Sequence, residues 1–170
     1  MSVEKMQGGE LIWKADEFMM LATAETVKAM TNASIYTQGV AKEMIGGTGK
    51  GKLYRRRKQK GKRGSFTASD FHRASAPGDP PARDSGILAN SVSYTIKHKG
   101  VLVTGYVGSD IDKIRSKSPT TDPEYGIFLE TGTKRMGTKR MAARPWLRPA
   151  LIKSTPEIKK IFRRAMRLIK

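Results

Sequence analysis

The sequence predicts an α+β fold: a long N-terminal helix, a small antiparallel sheet built on a β-hairpin, and an amphipathic C-terminal helix. Three observations predict it. Residues 14–44 contain no proline and carry apolar side chains at helical spacing. Residues 91–107 alternate apolar and polar on either side of a Lys99-Gly100 step. Beyond Pro149, apolar positions recur every three to four residues among lysines and arginines. A chain of 170 residues suits one domain with its own core. The domain is read as residues 1–170, with a basic loop inserted at about 50–83.

Residues 1–13 read as a loose lead-in broken by Gly8-Gly9. The long helix follows. Its stripe of Phe18, Leu21, Ala22, Ala29, Met30, Ala33, Val40, Ala41 and Met44 is rich in Ala and Met, hence shallow and adaptable. Such a stripe is ordinary core, or, on a protruding helix, a surface for a neighbouring subunit. Gly46-Gly-Thr-Gly49 ends it.

Residues 50–63 carry nine basic and no acidic side chains: Lys50, Lys52, Arg55, Arg56, Arg57, Lys58, Lys60, Lys62 and Arg63. Like charges this dense repel, so an extended loop or hairpin is expected. Residues 65–83 are rich in proline and turn signals and are expected to run extended over the surface. Asp84 or Ser85 is placed to cap a short helix holding Ile87 and Leu88.

In the hairpin, Val92, Tyr94 and Ile96 share one face of the first strand, and Val101, Val103 and Val107 one face of the second. Residues 109–123 read as a polar loop. Residues 124–130 are a short helix or strand, too short for periodicity to decide. A direct repeat follows: Gly132-Thr-Lys-Arg-Met136, then Gly137-Thr-Lys-Arg-Met141. A period of five fits neither helix nor strand pairing, so the second copy lengthens a loop or hairpin tip. The last helix starts at Pro149. Thr155 and Pro156 are placed to restart or kink it.

The net charge of +18 is unevenly placed. Residues 1–49 carry −2, 50–63 carry +9, 64–133 carry −1 and 134–170 carry +12. Positive charge this concentrated has a polyanion as its usual partner, and DNA is the obvious one. Tyr54 and Phe66 bracket the basic run and are placed to stack on bases, but no base-reading motif is present. Binding would rest on phosphates, with strong salt dependence and little sequence preference. No run approaches the roughly 20 apolar residues of a membrane span, and the N-terminus lacks a secretion signal. Zero cysteines exclude disulfides and fit a reducing cytoplasm.

Catalytic chemistry is poorly supported. His72 lies in the proline-rich segment and His98 at a strand end, and neither has a partner at metal or triad spacing. Asp70, His72 and Asp84 imitate a nuclease cluster only thinly. Gly46-x-x-Gly49-Lys50 lacks the full phosphate-loop spacing and follows a helix. No cofactor is expected, and the protein is not expected to be an enzyme.

Two blocks carry a resemblance. One is Tyr125-Gly-Ile-Phe-Leu-Glu-Thr-Gly-Thr133 with Ala142-Ala-Arg-Pro-Trp-Leu-Arg-Pro-Ala-Leu151; the other is His72-Arg-Ala-Ser-Ala-Pro-Gly-Asp-Pro-Pro-Ala82 with Asp84-Ser-Gly-Ile-Leu-Ala-Asn-Ser91. In this order they resemble the neck, or tail-completion, proteins of tailed double-stranded DNA phages. The tandem repeat departs from that pattern by a five-residue insertion. The resemblance implies a structural virion protein at the head–tail junction, assembled in the host cytoplasm. It implies a hexameric ring with head-to-tail contacts, with head-closure, connector and tail-terminator proteins as partners and genomic DNA in the channel. The alternative is a sequence-nonspecific nucleic-acid-binding protein without catalytic activity.

Pro145 and Pro149 flank Trp146 and fix the backbone around it. That corner is expected to be a rigid docking projection. Tyr125, Phe128, Glu130, Arg144, Pro145, Trp146, Leu147, Arg148 and Pro149 are its candidate interface residues. The nine bases of residues 50–63 are the candidate DNA-facing residues.

Overall fold

The computed structural model describes residues 3–6, 9–12, 15–55, 71–118, 122, 124–136 and 139–169. Its fold is α+β: a long N-terminal helix, small antiparallel hairpins and a long C-terminal helix. Strands β1 (Val3–Met6) and β2 (Gly9–Ile12) pair antiparallel, so the expected loose lead-in holds a hairpin, with Gly9 already paired to Met6. Helix α1 spans Ala15–Met44, a length of about 45 Å at about 1.5 Å per residue. Asp16 and Glu17 lie in its first turn and Lys42 in its last, each suited to the local end of the helix dipole.

Only the second half of α1 packs deeply. Ala29, Ala33, Ser34, Thr37, Val40 and Ala41 are buried, whereas no residue from 16 to 28 is. The Thr37 hydroxyl sits in this packed face because it donates to the Ala33 carbonyl of its own helix (2.9 Å).

Strands β5 (Val92–Lys99) and β6 (Leu102–Ser109) form the eight-pair antiparallel hairpin that the alternation predicts. The turn is Gly100-Val101, one residue later than expected, with Gly100 at φ 59°. Val101 therefore leaves the strand face and is 63% exposed. Val92 and Val103 are buried on the face that meets α1. Gly105 lies on that face, where an added Cβ would stand 2.6 Å from Ser34 Oγ. Its missing side chain is what lets helix and hairpin approach. Gln38 Nε2 donates to the Val92 carbonyl (2.7 Å) and fixes the start of β5 along α1.

Helix α5 (Leu147–Arg167) lies against α1 and completes the core. Ala165 of its apolar stripe is buried and Ile158, Ile161 and Phe162 are half-buried, whereas Leu168 is exposed at the C-cap, and Pro156 sits inside one continuous helix. Thr155 does not cap a new start, since its hydroxyl donates back to the Leu151 carbonyl (2.9 Å). The central cluster comprises Val40, Ala41 and Ile45 from α1 and the turn after it, Leu88 and Ala89 from α2 (Ile87–Ser91), and Val92, Leu129, Trp146 and Ala150.

The segment expected as a polar loop holds α3 (Ile111–Lys117). Asp110 caps it, accepting from the Asp112 and Lys113 amides at 3.0 and 3.2 Å, and Ile114 is buried. The ambiguous short element is helix α4 (Tyr125–Thr131). Strands β3 (Leu53–Arg55) and β4 (Phe71–Arg73) form a third hairpin, and β7 (Thr133–Met136) and β8 (Lys139–Met141) a fourth.

Candidate functional site

The two halves of the motif around residues 125–151 are bonded to each other. α5 begins at Leu147, two residues earlier than expected, with Trp146 as its N-cap. A helix start leaves its first backbone N–H groups without partners inside the helix. Here one side chain from another element takes them. Glu130, at the end of α4, accepts from the Trp146 amide (2.7 Å) and the Leu147 amide (2.9 Å) on Oε2, and from the Arg148 amide (3.0 Å) on Oε1. The next residue is Pro149, which has no N–H to satisfy. The carboxylate also sits at the positive end of the helix dipole. Glu130 is thus a capping residue, and its carboxylate is directed inward.

Three further contacts lock the corner. The Arg144 amide donates to the Leu129 carbonyl (2.6 Å), and Trp146 Nε1 donates to the Gly126 carbonyl (3.3 Å). Gly126 is held against Ser109, whose Oγ would lie 2.6 Å from an added Cβ. Gly132 adopts φ 72°, in the left-handed region, with the Ala143 amide and the Met141 carbonyl each 2.8 Å from where a Cβ would be.

This geometry corrects the expected docking projection. Trp146 is 2% exposed and lies in the central cluster of its own subunit. Leu147 is partly buried against the same cluster, and Phe128, Glu130, Arg144, Pro145 and Pro149 are half-buried. Of the nine residues assigned to that interface, only Tyr125 and Arg148 are exposed. The proline-flanked tryptophan expected to project outward points inward. The signal it missed was Glu130 itself, a lone carboxylate preceding a helix start that has no capping side chain.

Of the candidate DNA-facing residues, Lys50, Lys52 and Arg55 are exposed at β3 and the segment leading into it. The Lys52 ammonium lies 5.8 Å from the centre of the Tyr54 ring. Arg56, Arg57, Lys58, Lys60, Lys62 and Arg63 lie outside the described residues, as does Phe66. They continue directly from β3, so the charged tract lies between the two strands of a hairpin whose described parts are solvent-facing.

Beside this hairpin is a cavity of about 270 Å³ lined by residues that include Tyr54, His72, Asp84, Tyr125, Met141 and Arg144. His72 Nδ1 is 3.6 Å from an Asp84 carboxylate oxygen, and of the two expected caps of α2 it is the Ser85 hydroxyl that accepts from the Ile87 amide (3.4 Å). Arg144 Nε donates to the Ser75 carbonyl (3.4 Å). Tyr125 is exposed overall, yet burial raises its phenol above the ordinary value; Arg144 opposes the rise and Asp84 adds to it. Among the described residues, no three His, Cys, Asp or Glu side chains come together as metal ligands, and no helix is long and apolar enough to cross a membrane.

Exposed apolar side chains lie elsewhere. On the unburied half of α1, Met20 and Leu21 are 70% and 64% exposed, with Phe18 and Met19 beside them. Leu151, Ile152, Met166 and Leu168 of α5 and its C-cap are exposed too. Comparison with protein-family models, curated proteins and solved structures finds no match to this chain.

Proposed function

We propose that this protein is a structural, non-enzymatic virion subunit of a tailed phage neck, forming a ring that joins head and tail around the DNA channel. The resemblance carried by residues 72–151 motivates the reading. The single observation that supports it most is the exposed apolar start of α1. A soluble monomer gains nothing by leaving Met19, Met20 and Leu21 exposed on the first turns of that helix. A neighbouring copy meeting those turns would bury them, and a head-to-tail contact repeated by rotation closes a ring. The exposed cations Lys50, Lys52 and Arg55, and the basic sequence that follows them, suit the DNA-facing role. Head-closure and tail-terminator proteins remain the expected partners above and below. With Trp146 buried, α1 takes the place of the tryptophan corner as the main candidate interface.

Sedimentation of the full-length protein tests this. The wild type should run as a closed oligomer, a hexamer by the resemblance. Met20→Asp with Leu21→Asp should run as a monomer with an unchanged circular dichroism spectrum. A double variant that assembles like the wild type would remove α1 from the interface. The alternative, a basic nucleic-acid-binding protein acting as a monomer, is favoured if the wild type binds duplex DNA yet stays monomeric on it.

A further inference from the structure

The tandem repeat reaches the core only at Met141, which packs against the central cluster, and the rest of it builds a separate feature. Its two copies pair with each other as β7 and β8, with Thr133 opposite Met141 and Met136 opposite Lys139. A repeat of five cannot keep a uniform two-residue register, and the ladder shifts between those pairs. The Met141 amide donates to Thr133 Oγ1 (3.2 Å), which closes the root. The hairpin brings Lys134, Arg135, Lys139 and Arg140 into one short ribbon.

The ribbon is rooted next to the β3–β4 hairpin. Tyr54 of β3, His72 of β4 and Met141 of β8 line one cavity. The Gly78 amide donates to the Ala143 carbonyl (2.9 Å), tying the chain that follows β4 to the chain that follows β8. Two hairpins with no shared sequence therefore start from the same patch, and both are cationic. No acidic residue occurs from 50 to 69 or from 131 to 156. Glu130, the nearest carboxylate in sequence to the second stretch, is occupied by the α5 N-terminus. Positive charge concentrated in two segments that start from one patch has a polyanion as its usual partner.

We propose that the β7–β8 hairpin is a second contact for duplex DNA, which it and the β3–β4 hairpin hold together through the phosphate backbone. This rests on the DNA-facing reading above and adds the part that the repeat plays in it. Lysine and arginine on a ribbon with alternating faces suit a continuous line of phosphates, whose charge repeats about every 1.7 Å along the duplex. The second repeat copy supplies two of the four cations and the return strand, so one copy alone makes neither the ribbon nor the second contact.

Fluorescence anisotropy of the full-length protein with a 30-base-pair duplex over a sodium chloride series is the test. Lys134, Arg135, Lys139 and Arg140 are replaced by Ser in one variant, and by Gln, which preserves side-chain length, in another. A third variant carries Arg55→Ser, Arg56→Ser and Arg57→Ser, and a fourth combines the serine sets. Each lost phosphate contact flattens the plot of log affinity against log salt by about 0.9. Both repeat variants should lower the slope by at least about 2 and weaken binding about tenfold or more near physiological salt. The combined variant should fall below either alone. Wild-type slope in the folded Ser or Gln repeat variant, beside a weakened Arg55–57 variant, overturns the proposal and leaves the DNA-facing reading intact. Absence of any DNA binding by the wild type removes that reading and the proposal with it. Tighter binding of polyglutamate than of the duplex at equal salt shows that the partner is an acidic protein surface, and also overturns it.

Discussion

Replacing Glu130 by alanine removes one carboxylate and unpairs three backbone donors at once. The Trp146, Leu147 and Arg148 amides lose partners at 2.7, 2.9 and 3.0 Å. Loss of an N-cap side chain costs about 0.5–2 kcal/mol, and the interaction with the helix dipole adds about 0.3–1 kcal/mol. Hydrogen bonds to a charged group are stronger than neutral ones, but Glu130 is half-buried and the Arg148 amide is open to water, so solvent recovers part of the loss. A loss of about 2 kcal/mol is expected for Glu130→Ala. In a chain of this size that lowers Tm by about 4–8 °C. Glu130→Gln keeps one acceptor oxygen and loses the charge, so it should fall between alanine and wild type. Thermal unfolding followed by circular dichroism at one fixed protein concentration measures this, because assembly makes Tm concentration-dependent. If alanine melts within a degree of wild type while assembly fails, Glu130 belongs to an interface and the capping account is wrong. Equal losses for glutamine and alanine would show that the charge does all the capping.

Three other substitutions read out neighbouring parts of the structure. Trp146→Ala should cost about 3–5 kcal/mol as a core truncation, visible as a large fall in Tm or loss of soluble protein; a normal melt with failed assembly would restore the docking role. Gly126→Ala places a methyl group 2.6 Å from Ser109 Oγ and should cost about 1–3 kcal/mol by overpacking, with Ser109→Ala relieving part of it in the double variant. Asp110→Ala removes the α3 cap and should lower stability by about 1 kcal/mol, measurable by urea unfolding; no change would mean that Ile114 alone holds α3.

The architecture was readable where periodicity was long. α1 and the β5–β6 hairpin each repeat their pattern over many residues, and both stand close to where the sequence puts them. α3 was legible in principle, with Asp110 ahead of Ile111 and Ile114, but the surrounding polar residues concealed a one-turn apolar signal. The fate of Trp146 was not legible. Proline and tryptophan report stiffness, and only the fold determines whether a stiff corner faces in or out. That direction is set by Glu130 and Gly126, which lie 16 and 20 residues away in the chain. The β7–β8 ribbon was half legible: the repeat announced a longer loop or hairpin tip, while the choice between them and the root beside β3–β4 depend on contacts made in the fold.

Mass photometry or native mass spectrometry of the full-length wild type, alone and with duplex DNA, addresses the assembly reading most directly. A discrete closed oligomer that retains DNA is the predicted result. A monomeric mass at every concentration, with or without DNA, would contradict it.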